Sequence, residues 1–154
     1  MDLRELYQDI ILDHGRHPRH FHALPTPSHF AHGHNPLCGD KVTVYLNLKD
    51  GIVTDASFEG AGCAISVASA SLMTDIVKGK PLEDARMLFA NFHASVTGGS
   101  PPNLPETLAE DAERLHPLTG VKSYPARVKC ATLAWHTFKN AVEEGKKSVE
   151  EGAA

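Results

Sequence analysis

The stretch KVTVYLNLKDGIVTDASFEG, residues 41–60, decides the fold. Its β-branched and aromatic residues alternate with polar ones on both sides of Asp50-Gly51, a dipeptide that favours the tight turn between antiparallel strands. The pattern therefore predicts a β-hairpin. A short apolar piece within GAGCAIS, residues 60–66, is expected to supply a third strand.

Helical periodicity lies on both sides of the hairpin. Apolar residues recur at intervals of three and four, and proline or glycine marks the ends of these segments. The predicted helices are residues 2–14, a small-residue helix from about Ser66 to Lys78, one that follows Pro81 and breaks at Gly98-Gly99, a short one from about Glu106 to Leu115, and a last one that starts at Pro125. The fold class is therefore α+β, with a small antiparallel three-stranded sheet packed with four to five helices.

The segment between the first helix and the hairpin is rich in histidine. Seven of the ten histidines lie between His14 and His34, among prolines and glycines. We expect Gly15–Gly39 to be extended and irregular. A solvated loop is favoured over metal capture there, because no pair of histidines with helical i, i+4 spacing leads to a carboxylate. His32 and His34 are kept as candidates for contacts with the ligands around Cys38.

Composition excludes several classes of function. The 154 residues are enough for one domain, with a flexible tail expected from about residue 145. The formal charge is −4 and no basic tract is present, so nucleic acid is a poor candidate partner. The sequence shows no apolar run of membrane-spanning length and no secretory signal pattern, so we expect a cytoplasmic protein without a membrane partner.

The three cysteines raise the question of thiol or metal chemistry. Their odd number and wide spacing fit a reduced compartment better than a disulfide framework. Cys63 and Cys130 lie near predicted helix N-termini, where the helix dipole favours a thiolate. Together with Cys38 and the carboxylate of Asp40 they could complete a tetrahedral zinc site, and the cations Arg127 and Lys129 could offset its charge. Spacing alone leaves inert cysteines and a turn-capping aspartate as open alternatives.

Three motifs carry a resemblance to a known family. In this order, NPLCGD (35–40), GAGCAIS (60–66) and RVKCATLAW (127–135) resemble the cysteine motifs of the IscU-like proteins of iron-sulfur cluster assembly. Lys129 precedes the third cysteine, where housekeeping IscU scaffolds have histidine. The segment from about residue 96 to 122 resembles the insertion of the SufU branch, and the LPPVK chaperone-recognition sequence of IscU scaffolds is replaced by Tyr124-Pro125-Ala126-Arg127. The chain is therefore similar to SufU-type members of the family.

The resemblance implies an IscU-like fold over residues 1–154 and a zinc-dependent sulfurtransferase. It implies a single zinc ion held by Cys38, Asp40, Cys63 and Cys130. It also implies a partner, a SUF-type cysteine desulfurase that uses pyridoxal phosphate, whose persulfide sulfur passes to Cys38 as the catalytic thiol and then to downstream SUF assembly proteins. Two alternatives remain: an IscU-type scaffold that binds an iron-sulfur cluster transiently on the same residues, and a structural zinc adaptor that activates the desulfurase.

Overall fold

The computed structural model describes the backbone of residues 3–153 and the side chains of residues 8–143. Within this part of the chain, three strands and five α-helices form an α+β fold, as predicted. Among the described residues, no helix is both long and apolar enough to cross a bilayer. The elements are α1 (Leu3–Arg16), β1 (His29–Asn35), β2 (Asp40–Lys49), β3 (Ile52–Ala61), α2 (Ala64–Val77), α3 (Leu82–Thr97), α4 (Ala109–Leu115) and α5 (Pro125–Ala153).

The sheet has the order β1-β2-β3 and both pairs are antiparallel. The predicted hairpin forms β2 and β3, and it turns at Asp50 and Gly51 with φ angles of 53° and 77°. Two successive residues with positive φ give the turn the twist that matches the flanking strands. The Asp-Gly signal in the sequence therefore identified this turn correctly.

The third strand lies elsewhere than predicted. It is β1, which pairs with β2 from His29↔Leu46 to Asn35↔Asp40, inside the segment that we expected to be irregular. Residues 60–66 add no strand of their own, since β3 ends at Ala61 and α2 begins at Ala64. The reason is that β1 turns Ala31 and Asn35 inward and His32 and His34 outward, so its inward face offers little hydrophobic signal.

The helices pack on one face of the sheet. Helix α5 lies against β1 and β2, and α2 contacts both β3 and α5. Gly33 allows the close approach of α5, because a Cβ at this position would overlap the Thr137 hydroxyl. The Ser69 hydroxyl of α2 donates to the carbonyl of Ala131 in α5 at 2.5 Å. The largest buried side chains include Trp135, Phe58, Phe92, Leu46, Leu72 and Met73.

The connection between α3 and α5 is compact. It contains α4 between two short 3₁₀ helices, Glu106–Leu108 and His116–Ser123. Arg114 of α4 pairs with Asp75 of α2 at 2.5 Å, and Asp111 pairs with Lys80 at 3.1 Å. That residues 96–122 are an insertion, and that residues 1–154 are one domain, stay predictions. The expected flexible tail falls on residues whose side chains lie outside the described part of the chain.

Candidate metal centre

Three segments distant in sequence meet at one end of the sheet. The connection from β1 to β2 carries Cys38, the residue before α2 is Cys63, and Cys130 lies in the second turn of α5. The connection is a tight turn in which the Cys38 N–H donates to the Asn35 carbonyl at 3.3 Å and Gly39 has a φ of 70°. Asn35 and Asp40 are paired residues of β1 and β2, so the sheet register fixes both ends of this turn.

Asp40 is fully buried, with one satisfied and one unsatisfied carboxylate oxygen. Oδ1 accepts the backbone N–H of Cys63 at 2.9 Å, which ties β2 to the start of α2. Among the described side chains, Oδ2 is one of few buried polar atoms without a hydrogen-bond partner. A buried carboxylate oxygen left without a partner costs free energy, and coordination of a cation would remove that cost. The position of this oxygen therefore fits a metal ligand.

The Sγ atoms of Cys38 and Cys130 lie 3.3 Å apart and are not bonded. With an Asp40 oxygen they form a group whose ligand atoms all lie within 4.8 Å of one another. Two sulfurs bound to one tetrahedral zinc ion would be about 3.8 Å apart, given Zn–S bonds of about 2.3 Å. The observed separation is about 0.5 Å shorter, a difference that a small movement of the Cys38 turn would remove, so the donor set fits a small thiophilic ion such as Zn²⁺.

Cys63 lies beside this group but outside it. It is the N-cap of α2, and its Sγ accepts the Ser66 N–H at 3.4 Å. The Cys63 side chain nevertheless interacts with that of Cys130. Of the four ligands predicted from the sequence, Cys38, Asp40 and Cys130 are therefore grouped. Cys63 lies next to them, at the N-terminus of α2.

The protonation of Cys130 differs from the expectation. Burial, and after it the neighbouring side chains of Asp40, Cys38 and Cys63, raise the pKa of the Cys130 thiol well above its ordinary value. The predicted influence of the helix N-terminus is outweighed because this thiol is fully buried inside the second turn of α5. Without a cation the thiol keeps its proton at neutral pH, so a metal ion that binds here must displace it.

The two cations predicted to support the site behave differently. The neighbouring sulfurs of Cys130, Cys63 and Cys38 raise the pKa of the Arg127 guanidinium. Lys129 is exposed, and within the described part of the chain it has no ion pair or hydrogen bond to the cluster. Electrostatic interaction therefore associates Arg127, but not Lys129, with the cysteines.

Two further residues of the site were missed by reasoning from sequence. Asn35 directs its amide Nδ2 at Cys130 Sγ from 3.9 Å, and its Oδ1 accepts the Leu37 N–H. Gly62 lies so close to Asp40 that a Cβ would overlap the carboxylate. Both flank the predicted ligands in NPLCGD and GAGCAIS, and that adjacency was the available signal.

His32 and His34 were expected near the ligands around Cys38, and this was wrong. Alternation along β1 places both on the outer, exposed face of the sheet, whereas Asn35 and Asp40 are buried on the other. The Nδ1 atom of His32 bonds the Thr43 hydroxyl at 2.7 Å.

Comparison with known proteins identifies the family. The family model described as the NifU-like N terminal domain matches residues 6–150. The chain belongs to this family. The NifU-like domain is 39% identical over 146 residues to the zinc-dependent sulfurtransferase SufU of Bacillus subtilis, covering 94% of this chain and 95% of that protein.

Other relatives of this NifU-like domain are scaffolds. It is 36% identical over 144 residues to the iron-sulfur cluster assembly scaffold protein IscU of Thermotoga maritima, covering 94% of this chain and 97% of that protein. A crystal structure of a SUF-system candidate scaffold from Fervidobacterium islandicum superposes with a TM-score of 0.81 at 28% identity, over 92% of this chain and all of that one. The resemblance to SufU-type IscU-like proteins and the predicted fold are confirmed, and the chain is an iron-sulfur cluster assembly protein of the IscU/SufU family.

Proposed function

We propose that the chain is a zinc-dependent sulfurtransferase that accepts persulfide sulfur from a SUF-type cysteine desulfurase and stimulates that enzyme. One observation carries the proposal: the partly exposed thiol of Cys38 stands on a four-residue turn, 3.3 Å from the buried sulfur of Cys130. A thiol in this position can serve as a ligand and still face a partner. The name of the Bacillus subtilis relative supports the same activity.

The three thiols are not equally free to move. Cys130 is fully buried within α5, and Cys63 caps α2. Cys38 is held at its backbone by one 3.3 Å hydrogen bond, next to a glycine in the left-handed region. Turns of this kind can rearrange without loss of core packing. Cys38 is therefore the sulfur that can leave the cluster and become the acceptor.

The surface around Cys38 fits a protein partner. Leu37, which precedes Cys38, is 74% exposed. Tyr124, which precedes α5, is 63% exposed. The exposed cation Arg127 lies in the first turn of α5, and its backbone N–H donates to the Tyr124 carbonyl at 2.8 Å. Exposed apolar side chains with a charged neighbour are typical of protein interfaces. We assign this surface to the desulfurase, a pyridoxal phosphate enzyme that carries sulfur on its own cysteine.

The transfer itself is a thiol exchange. The Cys38 thiolate attacks the outer sulfur of the desulfurase persulfide, a new S–S bond forms on Cys38, and the desulfurase cysteine leaves as a thiolate. Zn²⁺, when bound by Cys38, Asp40, Cys63 and Cys130, supplies the charge that keeps these thiols deprotonated. The persulfide on Cys38 then passes to downstream SUF assembly proteins. We propose that the protein acts in the cytoplasm, where such thiols stay reduced.

The direct test is the mass of Cys38. After incubation with the desulfurase and cysteine, we expect Cys38 to gain about 32 Da, one sulfur, located by peptide mass spectrometry. The variant Cys38→Ser should gain nothing. Stimulation of the desulfurase without added sulfur on Cys38 would favour the zinc adaptor instead.

A transient iron-sulfur scaffold is the second candidate, favoured by the IscU relatives and by the ability of the same thiolates to bind iron. Anaerobic purification separates the two functions. We expect zinc in the purified protein. Iron and sulfide as the main bound species, with sulfur transfer indifferent to zinc removal, would support the scaffold.

Arg127→Gln is expected to weaken zinc binding by about threefold at low ionic strength, since it removes a cation from a site whose ligands and Zn²⁺ carry a formal charge of about −2. The matched variant Lys129→Gln removes the same charge from a side chain without a contact to the cluster, and should change little. Competition with a chromophoric chelator measures both. The Arg127 effect should shrink in about 0.5 M salt, because exposed charges are screened; equal losses in the two variants would refute the assignment.

A further inference from the structure

The strand β1 places two histidines side by side on an open surface. Residues two apart in a strand point to the same face, and their Cα atoms lie about 6.6 Å apart. His32 and His34 are such a pair, and both are exposed. In an irregular loop the same His-x-His sequence would fix no geometry. The strand therefore places the two imidazoles on one face, at a spacing that allows both to bind the same ion.

The ring of His32 is already oriented. Its Nδ1 bonds the Thr43 hydroxyl at 2.7 Å, and Thr43 is the residue paired with His32 on β2. A hydrogen bond from Nδ1–H to such an oxygen leaves the lone pair on Nε2, the arrangement that second-shell partners impose on metal-binding histidines. With Nδ1–H as the donor to Thr43, His32 presents Nε2 as a ligand atom.

A carboxylate lies in the same row of the sheet. Thr43 pairs with Glu59 on β3, so His32, Thr43 and Glu59 lie side by side on three strands, with His32 and Glu59 about 9.6 Å apart at Cα. Tyr45 donates to Glu59 Oε1 at 2.7 Å. In the described part of the chain the ligand atoms of His32, His34 and Glu59 are not gathered within 4.8 Å of one another, so a bound ion would draw these exposed side chains together. A shallow concavity of about 480 Å³ is lined by His32, His34, Thr43, Glu59 and Lys41.

We propose that His32 and His34, with Glu59 as a third ligand, form a second binding site for a divalent transition-metal ion such as Zn²⁺, on the outer face of the sheet. Imidazole and carboxylate are ligands that suit Zn²⁺. The charge of Glu59 favours a cation, and Lys41 opposes one but extends from an exposed position. The site binds more weakly than the cysteine cluster, since it has fewer anionic ligands and is open to water.

The two sites are separate and close. They lie on opposite faces of the sheet, but His34 directly precedes Asn35, whose amide contacts Cys130. A metal ion held by the histidines therefore stands next to the strand end that leads to the cysteine cluster. The outer site would keep zinc within a short distance of the inner one.

The experiment titrates zinc into protein whose cysteine site is already filled. After unbound metal is removed, Zn²⁺ is added in competition with a chromophoric chelator. We expect one additional zinc ion per chain, with a dissociation constant on the order of micromolar. The double variant His32→Gln/His34→Gln should bind it more weakly by at least about tenfold, and Glu59→Gln by a smaller factor.

The control is His22→Gln, which removes another exposed histidine of the same segment and should leave the additional zinc unchanged. Retention of the first zinc ion in every variant separates this site from the cysteine cluster. The proposal is overturned if the wild type binds no additional zinc, or if the double variant binds it as tightly as the wild type does.

Discussion

Asp40→Ala is expected to weaken zinc binding by on the order of a hundredfold or more, and sulfur transfer should fall with it. Alanine removes the single oxygen ligand of the proposed set, and a tetrahedral site with three protein ligands admits water and exchanges its metal. The substitution also leaves the partly buried N–H of Cys63 without its acceptor. A lost partner of this kind costs about 1–3 kcal/mol of folding free energy.

Asp40→Asn distinguishes a role of Asp40 as a metal ligand from a purely structural role in the turn. Asparagine keeps the size of the side chain and an oxygen that can accept the Cys63 N–H, but it removes the negative charge. We expect the metal-free variant to unfold in urea close to the wild type, yet to lose zinc almost as Asp40→Ala does. Zinc content after dialysis and urea unfolding together measure the two effects. Full zinc occupancy in both variants would reduce Asp40 to a structural cap.

Gly62→Ala is expected to disturb the same metal centre through its contact with Asp40. A Cβ at this position would overlap the carboxylate of Asp40, and the nearest atoms all belong to Asp40. The loop before α2 must move away, and we expect this to break the Cys63–Asp40 hydrogen bond and to shift Cys63 further from the other three ligands. We expect a loss of about 1–3 kcal/mol in folding free energy, together with most of the bound zinc.

The matched control is Gly120→Ala, where a Cβ would meet nothing within 4 Å. This variant should stay within about 0.5 kcal/mol of the wild type and keep its zinc. Urea unfolding and zinc content are measured on both variants. If Gly62→Ala behaves like Gly120→Ala in both measurements, the close packing of Gly62 on Asp40 has no consequence.

The sequence predicted best those elements whose pattern is local. The hairpin followed from alternation and from Asp50-Gly51, because the turn conformation is a property of those two residues. The strand β1 was missed, since its stability comes from pairing with β2 and from the contact of Gly33 with α5. Neither partner is visible within the seven residues of the strand itself.

The candidate site was predictable through a resemblance and not through spacing. Nothing local relates Cys38 to Cys130, which lie 92 residues apart. Asn35 contacts Cys130 and Gly62 packs against Asp40, each in another segment of the chain, so only their adjacency to the predicted ligands could have indicated these roles. The raised pKa of Cys130 depends on the same folding, since burial is its largest cause.

The wide separation of Cys38 and Cys130 also bears on synthesis of the chain. At about 5–20 residues per second, the ribosome needs roughly 5–18 s to advance the 92 positions from Cys38 to Cys130. During that interval β2, β3 and Cys63 are made, whereas α5 is not yet present. Because α5 covers β1 and brings in Cys130, the metal centre can be completed only after the last helix has been made. A nascent chain therefore carries two uncovered thiols, and their protection falls to the cell's reductants.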